Sequence, residues 1–115
     1  MSVGIEWIVD AEGCDSERLR SLDAVRAVVD RLVAALDLHV VGDGRWHVFP
    51  GEGGVTGLYL LTESHVACHT YPETRTATFN LYCCRAREPF DWAAELARAL
   101  GAKETRVRTI ARGRT

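Results

Sequence analysis

No stretch of the chain approaches the roughly 20 consecutive apolar residues that a helix needs to span a bilayer, so no membrane partner is expected. The opening, MSVGIEWIVD, has neither a basic start nor an apolar centre of the secretory kind. The four cysteines are therefore read as thiols of a reducing cytoplasm rather than as a disulfide framework. Cys83 and Cys84 are neighbours in an expected strand, where side chains point to opposite faces, and a disulfide between them would be strained. An excess of one charge is missing too. A formal net charge of -2 gives no long-range attraction to phosphate backbones, so no nucleic-acid partner is expected either. The basic end, KETRVRTIARGRT, is a local exception; Arg106 and Arg108 share one strand face, as on a solvated sheet edge. Common zinc spacings, a G-x-S-x-G elbow, internal repeats and linkers are all absent.

What remains is an ordinary globular composition in 115 residues, 47% apolar and 26% charged, enough for one domain with one core. GIEWIVDAEGC alternates around Ile5, Trp7 and Val9 and reads as a strand. Residues 15–20 read as a polar connection. Leu22, Val25, Val28, Val29, Leu32, Val33 and Leu36 form one helical stripe, with Ser21 as N-cap. A strand over roughly 39–49 is interrupted at GDG, and PGEGG breaks the chain before VTGLYLLTES. A tight reversal near Glu63 to His65 leads into a strand that Pro72 ends. TATFNLYCC is the next strand, PFDWAAELARALGA a helix with Pro89 near its start and Gly101 at its end, and ETRVRTI the last strand. The expected fold is α+β, a two-layer sandwich whose antiparallel sheet is covered on one face by two helices. Residues 1–115 form a single domain.

The chemistry concentrates in ESHVACHT, residues 63–70. Alternation puts His65, Ala67 and His69 on one face and Val66, Cys68 and Thr70 on the other. Cys68 then points away from both histidines and reads as a small buried hydrophobe. A metal set made of His65, His69 and a cysteine of the next strand stays open, although the spacing fits no common zinc pattern. Ser64 is either a plain turn residue or a nucleophile, to which His69 could curl back.

Read together, GVTGLYLLTESHVACHTYPETRTATFNLYCC (residues 54–84) resembles the core of the small prokaryotic S-adenosylmethionine decarboxylases. Their pattern, G-V-S-G, an apolar strand, E-S-H, then H-T-W-P-E and a cysteine after the next strand, is matched at Gly54, Val55, Gly57, Glu63, Ser64, His65, His69, Thr70, Pro72, Glu73 and Cys84. The early EGCD and late LGAK extend the likeness to nearly the whole chain.

The resemblance implies a self-processing proenzyme. Ser64 would attack the carbonyl carbon of Glu63 and convert the amide to an ester. Elimination and hydrolysis would leave a pyruvoyl group, a pyruvate-derived cofactor, where Ser64 stood, with a β chain of residues 1–63 and an α chain of residues 64–115. The pyruvoyl ketone would take the amine of S-adenosylmethionine as a Schiff base and act as electron sink for loss of CO2. By the same resemblance, His69 transfers protons during processing and Cys84 is the general acid that returns a proton. Thr56 would support processing near the scissile carbonyl. Phe49, Tyr71 and Glu73 would bind substrate, by stacking and by accepting from the ribose hydroxyls. No metal is implied. The family assembles as homodimers with sites at the subunit interface and serves spermidine and polyamine synthesis as source of the aminopropyl donor.

Three departures stand out. Tyr71 replaces a tryptophan, Arg75 brings positive charge near the expected pocket, and Asn80 stands where an aspartate is common. They leave open a decarboxylase retuned to ornithine or arginine, or a binding relative that does not cleave.

Overall fold

A computed structural model describes residues 3–84 and 89–113. The strands are β1 (Gly4–Glu12), β2 (Arg45–Val48), β3 (Val55–Leu60), β4 (Ser64–Tyr71), β5 (Thr76–Cys83) and β6 (Glu104–Arg112). The helices are α1 (Ser16–Leu19), α2 (Leu22–Ala35) and α3 (Trp92–Leu100), and a short 3-10 turn, Pro72–Thr74, joins β4 to β5. The strands form one antiparallel sheet in the order β2-β3-β4-β5-β1-β6. The expected α+β sandwich is the one observed.

The period-2 pattern decides which face is dry. Val9 and Ala11 of β1, Tyr59 of β3, Val66 and Cys68 of β4, and Phe79 and Leu81 of β5 share one core with Val25, Val28, Val29 and Leu32 of α2 and with Leu96 and Leu100 of α3. The opposite face carries Thr56, Leu58, Leu60, His65, His69, Asn80 and Tyr82, and among the described residues no helix lies over it. Ser21 caps α2 by accepting from the Ala24 N–H at 3.1 Å, and Asp91 caps α3 through the Ala94 N–H at 3.0 Å. Gly101 ends α3 in the left-handed region, with φ 71°.

Two expectations are corrected. The supposed connection at residues 15–20 contains one helical turn, because Asp15 accepts from the N–H groups of Glu17 and Arg18 and Leu19 is buried beneath it. The supposed strand over 39–49 shrinks to Arg45–Val48 plus a single bridge between Val40 and Leu61. Gly42 and Gly44 adopt φ of 78° and 79°, which removes them from any strand. At Gly44 a Cβ would also meet the Tyr59 ring at 2.2 Å.

The arginines of β6 pair with carboxylates of β1. Arg112 reaches Glu6 at 2.6 Å, Arg108 reaches Asp10 at 3.4 Å, and Arg106 pairs with Glu12. The basic end is thus a laced sheet edge, as its alternation suggests.

Candidate active site

Glu63 and Cys84 meet because of strand register. Ser64 of β4 stands opposite Cys83 of β5, so the next position outward sets residue 84 against residue 63. The Cys84 thiol donates to the Glu63 carbonyl oxygen at 2.5 Å. Thr62 and Glu63 form an exposed reversal between β3 and β4, and Ser64 is half-buried at the start of β4. The turn is braced on both sides. The Leu61 N–H donates to the Ser64 carbonyl oxygen at 2.9 Å, the Thr62 N–H to the His39 carbonyl at 3.0 Å, and the Val41 N–H to the Leu60 carbonyl at 2.8 Å.

His69 does not curl back toward this turn. β4 runs regularly from Ser64 to Tyr71, which carries His69 about 17 Å along the strand at roughly 3.3 Å per residue. Its ring lies on the open face, where Nδ1 sits 3.2 Å from the Thr56 hydroxyl across the β3–β4 ladder. Thr56 is therefore beside His69 and not beside the Glu63 carbonyl of its own chain.

Phe49, Tyr71 and Glu73 do come together. With Pro50, Glu52, Gly54 and Thr70 they line a cleft of about 300 Å³ at the far end of β4 from Ser64. Thr70 fixes its floor. It is 3% exposed, accepts from the Val55 N–H at 2.8 Å and donates to the Leu19 carbonyl at 2.7 Å. A Cβ at Gly54 would lie 2.5 Å from the Thr70 carbonyl oxygen, so only glycine lets the two strands approach there. Phe49 is half exposed, at 50%, and its ring meets His47 edge-on at 5.0 Å.

Of the metal alternative, His65 and His69 are exposed on the open face, Cys83 is buried on the helix side, and the exposed Cys84 thiol is turned to the Glu63 carbonyl oxygen. Among the described residues no three His, Cys, Asp or Glu side chains converge. Burial pushes the Cys68 thiol up to about 12, with the Gly57 backbone bond opposing it, so it is inert at neutral pH.

The departures also find local explanations. Arg75 does not charge the cleft; its Nε donates to the Cys14 carbonyl at 2.7 Å, and the Cys14 N–H returns a bond to the Arg75 carbonyl at 3.0 Å. It ties the β4–β5 turn to the end of β1 while holding φ 55°. Asn80 donates to Glu6, the same carboxylate that Arg112 meets. An aspartate there would face Glu6 with a like charge. These contacts remove the grounds for reading either residue as a retuned substrate contact.

Sequence reasoning did not find the bracing Leu61 N–H and His39 carbonyl, because a main-chain group leaves no residue-type signal. It also missed the stack of His65 on Tyr82, with ring centroids 5.8 Å apart. The cross-strand pair His65–Tyr82 was available only once the register was known.

A family described as S-adenosylmethionine decarboxylase matches residues 5–113. The S-adenosylmethionine decarboxylase proenzyme of Thermococcus gammatolerans is 29% identical over 113 residues, covering 97% of this chain and 78% of that one. The proenzyme of the same name from Clostridium botulinum is 27% identical over 112 residues, covering 96% and 95%. The crystal structure of the adenosylmethionine decarboxylase of Aquifex aeolicus superposes with a TM-score of 0.82 at 23% identity, covering 99% of this chain and 93% of that one; the likeness is one of fold. Among the described residues, no helix is long and apolar enough to cross a membrane.

Proposed function

Because the chain belongs to the S-adenosylmethionine decarboxylase family, we propose that it is a cytoplasmic proenzyme that cuts itself between Glu63 and Ser64 and then decarboxylates S-adenosylmethionine. The observation that carries this reading is the Cys84 thiol on the Glu63 carbonyl oxygen. When Ser64 Oγ adds to the Glu63 carbonyl carbon, negative charge builds on that oxygen. A donor already aimed at it stabilises the tetrahedral species without reorganisation. The reversal at Thr62–Glu63, braced by three backbone bonds, keeps hydroxyl and carbonyl in reach of each other.

The residues present fit a pyruvoyl group at position 64: a serine follows a carbonyl held by a thiol, and half-burial limits water. Once formed, that group supplies a ketone that condenses with the substrate amine and accepts the electron pair left by CO2. Cys84 stays beside residue 64 and holds the proton to be returned to the substrate α-carbon. Phe49 and Tyr71 offer ring faces for the adenine, and Glu73 offers a carboxylate for the ribose hydroxyls. The product would supply aminopropyl groups for polyamine synthesis.

One protomer holds its reactive bond and its cleft at opposite ends of β4. A homodimer joined through the open faces would resolve that separation. His69 and Thr56 of the partner subunit would then serve the Ser64 and Cys84 of the first. Exposed Leu58, Leu60 and Ile110 on that face favour such cover.

The test is release of labelled CO2 from carboxyl-labelled S-adenosylmethionine, with ornithine and arginine run in parallel. The reading expects release from S-adenosylmethionine alone and none from Ser64→Ala. Turnover of ornithine or arginine instead would overturn the substrate assignment.

A further inference from the structure

The backbone bond from Leu61 to Ser64 lies where the processing chemistry needs a donor. Leu61 is 3% exposed, so its N–H meets the Ser64 carbonyl oxygen, 2.9 Å away, with little competition from water. Its direction is fixed by elements outside the hairpin. On its outer side the donor strand is held at the bridge of Val40 to Leu61, where the Val41 N–H donates to the Leu60 carbonyl at 2.8 Å. The hairpin alone would leave that rung free to fray at an exposed turn.

We propose that the Leu61 backbone N–H is an electrophilic donor to the Ser64 carbonyl oxygen that promotes the elimination step of processing. The inference rests on the self-cleaving reading above and deepens it. In the ester form, Ser64 Oγ is bonded to the Glu63 carbonyl carbon and the amine of residue 64 is free. Elimination removes the proton on Cα of Ser64 to a base, the imidazole of His69 of the partner subunit in that reading. The C–H electron pair becomes the second bond between Cα and Cβ, the Cβ–Oγ bond breaks, and its pair departs on the Glu63 carboxylate. As the proton leaves, negative charge spreads from Cα onto the Ser64 carbonyl oxygen. An amide N–H fixed on that oxygen lowers the energy of the charge. The bond also crosses the cut, because Leu61 belongs to the β chain and residue 64 to the α chain.

An ordinary hairpin rung and a catalytic donor differ in which step suffers when the N–H is removed. The experiment replaces the peptide bond before Leu61 with an ester, by installing the α-hydroxy analogue of leucine; the side chain stays and the N–H goes. The comparison variant carries the same change at Thr62, which deletes the bond to His39 and leaves the donor to Ser64. Intact mass with and without hydroxylamine separates uncut chain, ester and finished fragments over time, and fragment masses tell a cut at 63/64 from hydroxylamine cleavage at the installed ester. The expected result is an accumulating hydroxylamine-labile ester and elimination at least about tenfold slower in the Leu61 variant, with the Thr62 variant close to wild type. Equal slowing in both variants, or wild-type elimination without the Leu61 N–H, overturns the inference and leaves the self-cleaving reading standing. A wild-type chain that never splits overturns both. Should the Leu61 variant fail to fold, amide exchange in uncut Ser64→Ala decides: the inference requires a protected Leu61 N–H, and exchange as fast as that of an exposed turn amide contradicts it.

Discussion

Cys84 Sγ lies 2.5 Å from the carbonyl oxygen of Glu63, one residue before the serine that begins β4. A single thiol thereby lies on the peptide bond proposed to be cut, next to the residue that the proposed cut would transform. Cys84→Ala is expected to slow cleavage by about a hundredfold, the scale of losing one oxyanion donor, and to abolish proton return in whatever fraction does mature. Cys84→Ser, which keeps a donor, is expected to recover part of the cleavage. Time courses of intact mass read the first effect and turnover by the matured fraction reads the second.

His69 and Ser64 sit at different points of one regular strand, so a shared site predicts complementation between subunits. Chains carrying Ser64→Ala and His69→Ala are each expected to stay uncut when expressed alone. Co-expressed, mixed dimers would contain one site with both groups intact, and the His69→Ala chain should be cleaved. Cleavage of His69→Ala on its own, or no rescue in a dimer shown to be mixed, would contradict the shared site.

Thr70→Val keeps shape and removes a hydroxyl that serves two buried backbone groups. The loss is expected to cost about 2–6 kcal/mol of stability, since each of the two orphaned groups costs about 1–3 kcal/mol. The cleft floor should loosen with it, raising KM more than it lowers kcat. Denaturant melts and steady-state kinetics check the two halves.

Cys68 gives the stability curve a predictable alkaline limb. Its thiol is raised from 9.0 to about 12 in the folded chain, so the unfolded chain releases this proton first as pH rises. The stabilisation is therefore whole below pH 9.0 and declines as pH climbs toward about 12. The slope approaches about 1.4 kcal/mol per pH unit for one proton. Burial raises the Cys14 thiol as well, adding in the same direction. Cys68→Ala is expected to flatten the decline between pH 9.5 and 11 in roughly that proportion, whatever its own cost at neutral pH. Alkylation should tell the same story, marking exposed Cys84 well before buried Cys68 or Cys14.

Much of this architecture is legible in the residues themselves. The stripe from Leu22 to Leu36 yields α2, and alternation in HVACHT assigns each side chain of β4 to its face. Pro72 and Gly101 end their elements where expected. The failures have physical causes. The segment over 39–49 reads as strand by composition, but two glycines in left-handed conformations and the Tyr59 ring at Gly44 break it. Arg75 looks like pocket charge in one dimension, yet its partner is a carbonyl 61 residues away. The clearest loss concerns the site: Ser64, His69 and Cys84 look like one cluster in the pattern, while the register unites Ser64 with Cys84 and sends His69 to the other end of the strand. Spacing along a chain does not report which neighbours a sheet will supply.

The most direct test of the account is the intact mass of the purified wild-type protein after prolonged incubation. Two pieces are expected, residues 1–63 ending in a carboxylate and residues 64–115 lighter than a serine-started fragment by the mass of ammonia. A single uncut chain, or a smaller piece that starts with an unmodified serine amine, would contradict it.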